Sequence, residues 1–114
     1  MFSKELLKGT LSAMILKLLA EEGKMHGYEM VQRVRAQSNE KILIKDGSLY
    51  PALQKMTEDG LMSFKEEVVG GRVRKYYYLT PKGRKQAAVS VSELEDFIST
   101  ISKVVFSKTK TKLV

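Results

Sequence analysis

Residues 45–61, KDGSLYPALQKMTEDGL, decide the fold that the sequence predicts. Apolar side chains recur there at helical spacing, and the two acidic residues and the glycine at 58–60 are typical of a helix end. Pro51 fits only near the beginning of such a helix, where a backbone N–H has no intrahelical acceptor to lose. We therefore predict that the helix begins at Gly47 or Ser48, with Ser48 as its N-cap. Its apolar positions are Leu49, Ala52, Leu53 and Met56.

Two further helices are predicted before this stretch. Residues 4–22 carry a broad apolar face, which indicates a helix covered on two sides, and Gly23 ends it. Residues 26–37 repeat the helical pattern, and His26 is expected to help start that helix. Between the second and third helices, the β-branched KILIK at 41–45 predicts a short extended piece.

A β-hairpin is predicted after the third helix. Residues 61–68 and 73–80 are rich in β-branched and aromatic side chains. Gly70 and Gly71 lie between these two segments and can supply the positive φ angles of a tight turn. Alternation along the second strand directs one set of side chains inward, Tyr77 and Leu79, and another set outward, Arg74, Tyr76 and Tyr78.

A last helix follows the hairpin. Thr80 is predicted as its N-cap and Pro81 as its first residue, and the helix extends to about residue 106. The order α-α-α-β-β-α defines a mainly α fold with a small β-hairpin (α+β), the winged helix-turn-helix. We predict a winged-helix DNA-binding domain at 1–80, a C-terminal dimerisation helix at 81–106 and a disordered basic tail at 107–114.

The positive charge of the chain is concentrated at the predicted hairpin. The net charge is +7, yet residues 1–40 hold six basic and five acidic residues and are nearly balanced. Residues 72–85 contain six basic residues and no acidic one. In a winged helix the third helix enters the DNA major groove and the hairpin lies along the flanking phosphates. A solvated face is the alternative for an isolated basic run, but at this place in the fold the run favours a nucleic-acid partner.

Three segments of the chain resemble one known family. HGYEM at 26–30, GSLYPALQKMTEDGL at 47–61 and GRVRKYYYLTPKGR at 71–84, in this order and spacing, are similar to the PadR family of bacterial transcriptional regulators. The resemblance implies winged-helix proteins that bind double-stranded DNA as dimers and usually repress transcription. In several branches of the family a small molecule releases the DNA. The single helix after the hairpin is similar to the short branch of the family.

Candidate DNA contacts fall into two groups. On the third helix, Ser48 is either the N-cap or a phosphate contact, and Lys55 is either a contact to phosphate or guanine or a solvated lysine. On the hairpin, the planar fork of arginine suits phosphates and narrow minor grooves. The full set predicted to bind DNA is Ser48, Tyr50, Pro51, Gln54, Lys55, Arg72, Arg74 and Lys75.

The last helix carries an apolar seam. Its members between Ala87 and Val105 are spaced by 4, 3, 4, 3 and 4 residues, as in a heptad repeat. A monomer would leave this seam exposed, so we predict a homodimer that also uses the apolar first helix. The alternative is a seam that packs only on its own domain. Two-fold symmetry then predicts a pseudo-palindromic operator whose half-sites are about 34 Å apart. The predicted interface residues are Leu7, Leu11, Met14, Val91, Leu94, Ile98, Ile101 and Val105.

A small apolar effector is a further partner that the resemblance implies. In drug-binding members of the short branch, a tryptophan of the last helix floors a flat cavity at the dimer centre. Counting from Gly83 and the preceding Leu79-Thr80 puts Leu94 at that position, and this chain has no tryptophan. An apolar pocket lined by Ala13, Leu94 and Ile98 is the candidate site, but plain dimer core is the favoured interpretation of these residues.

Other classes of protein are disfavoured by what the sequence lacks. The chain has no cysteine and one histidine, so disulfides and thiolate sites are excluded, and we expect no metal and no cofactor. It has no phosphate-binding loop, nucleophile elbow or catalytic triad, so we predict no enzymatic activity. No membrane-spanning run or signal peptide is expected, and the predicted location is the cytoplasm. Two rival functions stay open: a winged-helix module that binds protein, and a membrane-surface protein that uses the last helix and the basic tail.

Overall fold

Seven elements follow one another in residues 2–108, the part of the chain that the computed structural model describes. The two strands form one antiparallel hairpin. This order confirms the predicted winged helix-turn-helix and adds one short helix at the beginning. Of the predicted basic tail at 107–114, residues 109–114 lie outside the described residues. The elements are α1 (Lys4–Leu7), α2 (Leu11–Glu22), α3 (Gly27–Gln37), α4 (Asp46–Glu58), β1 (Met62–Val69), β2 (Arg72–Leu79) and α5 (Pro81–Val105).

The first predicted helix is divided in two. α1 ends at Leu7 and α2 begins at Leu11. Gly9 lies between them with φ at 88°, a left-handed conformation that cannot continue a right-handed helix. The prediction of one helix over residues 4–22 was wrong because apolar periodicity runs across the break, whereas the backbone freedom of a single glycine sets the local conformation.

The third predicted helix begins earlier than expected. α4 starts at Asp46 with Lys45 as its N-cap, and Ser48 makes no capping hydrogen bond. Instead, the Lys45 carbonyl accepts the backbone N–H of Ser48 at 2.9 Å, and the Asp46 carboxylate lies in the first turn, where the helix dipole favours negative charge. Pro51 is therefore inside the helix and cannot donate to the carbonyl of Gly47. The prediction of a start at Gly47 or Ser48 was wrong because Gly47 is exposed, so water can replace the hydrogen bond that the proline removes.

Two other helices begin with the caps that the sequence predicts. At α3, His26 Nδ1 accepts the backbone N–H of Glu29 at 3.2 Å, and the Glu29 carboxylate accepts the backbone N–H of His26 at 3.0 Å. This reciprocal pair is a capping box. At α5, Thr80 Oγ1 accepts the backbone N–H of Gly83 at 3.0 Å, and Pro81 is the first helical residue. Both helices therefore begin at fixed points beside the hairpin.

The hairpin of β1 and β2, which we call the wing, turns at Gly70 and Gly71. Their φ angles are 57° and 78°, as a two-residue turn between right-twisted strands requires. The register pairs Val69 with Arg72 on either side of the turn. The prediction that the two glycines form the turn is therefore confirmed.

The base of the wing is anchored to the helical core. Met25, just before α3, pairs with Tyr77: the backbone N–H of Met25 donates to the Tyr77 carbonyl at 3.1 Å, and the reverse hydrogen bond is 2.8 Å. Tyr77 and Leu79 are buried, whereas the alternate residues of β2 are half-exposed, which confirms the predicted inward and outward faces. The tip of the wing, in contrast, extends into solvent.

The core lies between α2, α3, α4 and the base of the wing. Residues 41–45, predicted as a short extended piece, lie outside any helix or strand, and Ile44 in this segment is part of the core. Among residues 2–108 no helix is long and apolar enough to cross a membrane. The largest fully buried side chains are Ile15, Leu16, Leu19, Met30, Leu49, Leu53 and Met62.

α5 packs on the core only through its beginning. Gly83 and Ala87 are its buried residues, and its first half lies against α2. From residue 95 onward every described side chain of the helix is exposed. At about 1.5 Å per residue, the second half of α5 projects well beyond the domain.

Candidate nucleic-acid interface

The leading end of α4 lies against the beginning of α3 at Gly27. A side-chain Cβ at Gly27 would be 3.1 Å from the Tyr50 hydroxyl and 3.2 Å from a methyl group of Leu49. Only glycine therefore lets the Tyr50 ring settle at this junction without displacement. Tyr50 is still about half exposed. Its hydroxyl has no hydrogen-bond partner within residues 2–108, so it is available to an external acceptor such as a phosphate oxygen.

A cavity of about 310 Å³ opens between α3, α4 and the wing. Tyr77 forms part of its wall, and burial, followed by the charge of nearby Tyr50, raises the pKa of the Tyr77 phenol above its usual value. The Tyr77 phenol therefore stays protonated at neutral pH and can act as a donor towards an anion. The cavity is lined by His26, Gly27, Tyr28, Tyr50, Val73, Arg74, Lys75 and Tyr77.

The outward face of α4 is a stripe opposite its buried Leu49, Leu53 and Met56. The Gln54 amide donates to the Glu58 carboxylate at 3.2 Å, so the side chain of Gln54 is held along this stripe. Gln54 is thus at the centre of the surface that α4 would present to a DNA groove. The stripe consists of Gly47, Pro51, Gln54 and Glu58, all exposed.

Lys55 lies beside this stripe and is tied to the end of α4. Its ammonium group is 3.2 Å from the Asp59 carboxylate, and Lys82 donates to the Asp59 carbonyl at 2.8 Å. The ammonium groups of both lysines therefore lie close to Asp59, on the side of α4 that faces α5. Lys55 is one helical turn beyond Pro51, and it lines a groove with Lys82 and Gln86 of α5.

The positive side chains of the wing are free of acidic partners. Ion pairs within residues 2–108 involve no charge of Arg72, Arg74 or Lys75. Arg74 is paired across the strands with Glu67, but the Glu67 carboxylate is bound to the Lys24 ammonium group at 2.8 Å. That hydrogen bond also raises the pKa of Lys24. Lys24 thus leaves the Arg74 guanidinium uncompensated.

The wing cations lie over aromatic rings instead. The Arg74 guanidinium carbon is 6.0 Å from the centre of the Tyr28 ring, and the Lys75 ammonium group is 4.6 Å from the centre of the Phe64 ring. Contacts of this kind are weak at exposed sites and hold the charges without neutralising them. Arg74 is brought next to Tyr50, and the two also share a groove of about 530 Å³ beside the start of α4.

Ser48 is exposed on α4 and lines an apolar cavity of about 190 Å³ with residues of α1 and α2. It lies on the opposite flank of α4 from Tyr50. The predicted DNA-binding residues therefore divide into a cluster around Tyr50 and Arg74, a central stripe with Pro51 and Gln54, and a second flank with Ser48 and Lys55.

Two residues of this surface were not predicted. Tyr28 is exposed at the second position of α3 and connects His26, through a ring contact, to Arg74. Lys24 acts indirectly by binding Glu67. The HGYEM segment marks the position of Tyr28, but nothing in the sequence pairs Lys24 with a glutamate that is 43 residues away.

The predicted dimer residues divide between half-buried and exposed positions. Those on α1, α2 and the first half of α5 are half-buried, namely Leu7, Leu11, Met14, Val91 and Leu94. Ile98 and Ile101 are 59% and 42% exposed, and Val105 is exposed as well. Of the predicted ligand-pocket residues, Ala13 is buried, Leu94 half-buried and Ile98 exposed. One copy of the chain therefore leaves the end of the seam uncovered.

Comparisons with known proteins agree with this geometry. The sequence profile described as the transcriptional regulator PadR-like family matches residues 15–89. The chain is 32% identical over 77 residues to a transcriptional regulator of Mycobacterium tuberculosis, covering 68% of this chain and 69% of that protein. It is 29% identical over 69 residues to the negative transcriptional regulator PadR of Bacillus subtilis, covering 60% of this chain and 38% of that protein.

Solved structures share the fold over most of the chain. A transcriptional regulator from Clostridium thermocellum superposes with a TM-score of 0.81 at 29% sequence identity, covering 90% of this chain and 99% of that one. The residues matched by the family profile, 15–89, include α3, α4 and the wing, which form the surface described above.

Proposed function

Because the chain belongs to the PadR-like family of transcriptional regulators, we propose that it binds a pseudo-palindromic DNA operator as a homodimer and represses transcription. α4 is the recognition helix in this proposal, and the wing contacts the flanking backbone. One observation carries the proposal: within residues 2–108, Arg74 and Lys75 of the wing form no ion pair, and they line one cavity with the free hydroxyl of Tyr50 at the leading end of α4. Such a surface offers both charge and hydrogen-bond donors to phosphate oxygens.

Repression is supported by the surface that α4 and the wing form and by one relative of this chain. The PadR protein of Bacillus subtilis is a negative transcriptional regulator. A small dimer that covers its operator can block transcription by occupying the site. Our chain has the elements for such occupancy, a recognition helix and a wing.

Dimerisation is supported by the apolar half of α5. Its seam continues from half-buried Val91 and Leu94 to exposed Ile98 and Ile101. At about 1.5 to 3 kcal/mol for each large apolar side chain fully buried, covering these residues in two copies favours association strongly. We assign Ala13, Leu94 and Ile98 to this dimer core and not to an effector pocket, since an effector is supported by no feature of the described chain.

The proposal is tested by selecting bound sequences from random duplex DNA. We expect an enriched palindrome whose half-sites are about one helical turn apart, because two recognition helices related by a two-fold axis meet successive major grooves. The absence of any enriched palindrome, together with weak duplex binding at low salt, would contradict the proposal and favour a module that binds protein. Binding to anionic vesicles with no duplex binding would favour a membrane-surface protein.

Replacement of Arg72 and Arg74 by alanine should weaken binding to every duplex. Each phosphate contact releases counterions and contributes about 0.9 to the slope of log affinity against log salt. The dimer carries four of these arginines, so we expect a slope that is shallower by up to about 3 to 4. We also expect affinity to fall by at least roughly tenfold at low salt. Titrations at several salt concentrations, followed by fluorescence anisotropy, measure both quantities.

The control for this experiment removes the same charge from elsewhere. Lys17 and Lys103 are exposed and lie on α2 and α5, away from the wing. The Lys17→Ala/Lys103→Ala variant should retain the parent slope. If the arginine variant also retains it, the wing does not contact phosphates.

Gln54→Ala and Lys55→Ala should have different effects on sequence preference. Gln54 is central on the outward stripe of α4, and a glutamine amide can form a pair of hydrogen bonds to adenine. Lys55 is turned towards α5 and paired with Asp59, so it serves phosphate better than a base edge. We expect Gln54→Ala to relax the preference at one operator position, by about 1 to 3 kcal/mol between bases. Lys55→Ala should lower affinity uniformly. Repeating the selection with both variants decides this, and an unchanged preference for Gln54→Ala would mean that Gln54 reads no base.

A further inference from the structure

Glu67 of the wing has two cations within reach and binds one of them. The register places it directly opposite Arg74 on the neighbouring strand, so the two side chains share one face of the wing. Oppositely charged side chains at such positions attract each other, because their Cβ atoms are only about 5 Å apart. Yet the Glu67 carboxylate is 2.8 Å from the Lys24 ammonium group and, among the described residues, forms no ion pair with Arg74. A residue outside the wing therefore takes the place of the cross-strand partner.

Two aromatic rings hold these cations in separate places. The Lys24 ammonium group is 5.0 Å from the centre of the Tyr76 ring. The Arg74 guanidinium carbon is 6.0 Å from the centre of the Tyr28 ring. Each ring attracts the cation that lies over it. Lys24 is thus held beside Glu67, and Arg74 is drawn towards α3.

The pairing of Glu67 with Lys24 is a weak interaction at the surface. The side chains of Lys24 and Glu67 are 58% and 38% exposed, and ion pairs between exposed side chains contribute little to stability. The hydrogen bond to Glu67 raises the pKa of Lys24, so the ammonium group stays charged at neutral pH. Because solvent surrounds this pair, the Glu67 carboxylate can turn to Arg74 once the charge of Lys24 is removed.

An ion pair with Glu67 would prevent Arg74 from acting as a phosphate ligand. A guanidinium group that binds a carboxylate through two of its N–H groups has fewer donors left for a phosphate, and its charge is neutralised. Arg74 lines the cavity that contains the free Tyr50 hydroxyl, so its charge is needed where the backbone of a duplex would lie. Glu67 would then compete with DNA phosphate for Arg74.

We propose that Lys24 is a positioning residue of the DNA interface, and that Glu67 blocks Arg74 whenever Lys24 does not hold its carboxylate. This inference rests on the proposed function, since it requires that Arg74 contacts the phosphates of a duplex. It goes beyond that function because it assigns a role in DNA binding to a residue outside α4 and the wing. It also assigns an inhibitory role to an acidic residue of the wing itself.

The test removes the charge of Lys24 and then the charge of Glu67. Methionine keeps the unbranched stem of Lys24 without its charge. We expect Lys24→Met to bind the selected operator roughly tenfold more weakly, with a salt slope shallower by up to about 2, because each subunit of the dimer loses one phosphate contact. Lys24→Met/Glu67→Gln should regain the affinity and the slope of the parent, since glutamine carries no charge that neutralises Arg74. Lys24→Arg should behave as the parent does, because arginine can hold the same carboxylate.

The matched control uses a second exposed pair of a lysine and a glutamate. The Lys17 ammonium group is 2.8 Å from the Glu21 carboxylate on α2, away from the wing. Lys17→Met changes the net charge by the same amount and also frees a glutamate, so it should leave the affinity and the salt slope unchanged. A loss as large as that of Lys24→Met would mean that net charge alone lowers the affinity, and it would overturn the inference.

NMR spectroscopy of the arginine side chains tests the exchange of partners without DNA. The resonance of the Arg74 Nε–H group is assigned by its loss in Arg74→Lys. We expect this resonance to shift in Lys24→Met and to return towards its parent position in Lys24→Met/Glu67→Gln. An unshifted resonance in Lys24→Met would overturn the inference, because Glu67 would then not reach Arg74.

The two hypotheses fail in distinguishable ways. If the parent does not bind duplex DNA, the proposed function fails and the inference fails with it. If the parent binds and Lys24→Met binds equally well, only the inference is overturned. A loss of affinity that Glu67→Gln does not restore would also overturn it, because Lys24 would then contact the phosphates itself.

Discussion

Gly83→Ala should strongly lower the free energy of unfolding of the protein. A Cβ at Gly83 would overlap the carbonyl oxygen of Leu61 and lie 2.8 Å from its carbonyl carbon. The Leu61 carbonyl cannot move away freely, because it accepts the backbone N–H of Thr80 at 3.1 Å. Thr80 is held further by its hydroxyl, which donates to the Gly60 carbonyl at 2.6 Å. We therefore expect α5 to be displaced from the α4–β1 connection, at a cost of about 3 to 5 kcal/mol in the free energy of unfolding.

Thermal and urea denaturation at a fixed protein concentration measure this loss, since the concentration affects the stability of a dimer. We expect the midpoint temperature to fall by more than about 10 °C. The matched control is Gly47→Ala, another exchange in the first turn of a helix, where a Cβ would meet nothing within 4 Å. Its stability should be unchanged or higher by up to about 1 kcal/mol. A Gly83→Ala variant as stable as the parent would show that α5 can shift without loss of packing.

The sequence predicts correctly those elements whose conformation is determined by a few neighbouring residues. Gly70 and Gly71 determine the turn of the wing because both positions need positive φ, and Thr80-Pro81 determines the start of α5 through a cap and a fixed φ. The inward position of Tyr77 follows from alternation alone. In each of these cases, a single local effect on the backbone conformation is larger than the effects that oppose it.

The first residue of α4 could not be predicted, because two local effects of similar free energy favour different starting points. A start at Ser48 keeps the hydrogen bond that Pro51 would otherwise remove, whereas a start at Asp46 places a carboxylate in the first turn. Each effect is worth on the order of 1 kcal/mol. Exposure of the Gly47 carbonyl decides between them, and exposure depends on the tertiary structure.

The sequence predicts which types of residue form the candidate site, but it does not predict which of their charges form ion pairs. The sequence indicates both Arg74 and Lys55 as basic candidates, with a solvated lysine as the alternative for Lys55. The fold separates them, because Lys55 meets Asp59 one turn away, whereas Lys24 binds the glutamate opposite Arg74. The close approach of Tyr50 to Gly27 likewise joins two helices whose contact no periodicity describes. Which charges are free is a property of the folded chain, and it determines which of them can bind phosphate.

The apolar seam of α5 is the basis of the second large effect. Its exposed half continues in line with the part that packs on α2, so a partner surface of the same kind would complete it. Phe97 and Val104 widen the seam and are exposed as well. When two copies pair through this same face, the face is covered in both subunits. The apolar side chains of both copies then contribute to the stability of the dimer.

Ile98→Asp/Ile101→Asp should convert the protein to a monomer that scarcely binds its operator. Each dimer would bury four carboxylates in an apolar interface, which raises the dissociation constant by at least about 100-fold. Operator affinity should fall by a similar or larger factor, because separate subunits lose the second half-site contact that the dimer makes at high effective concentration. Sedimentation equilibrium and operator titration measure the two quantities. The control Ser99→Asp/Lys103→Asp adds carboxylates to the opposite side of the same helix and should remain a dimer, although its weaker electrostatics can reduce DNA affinity slightly. A variant of the two isoleucines that still forms the parent dimer would overturn the assignment of this seam.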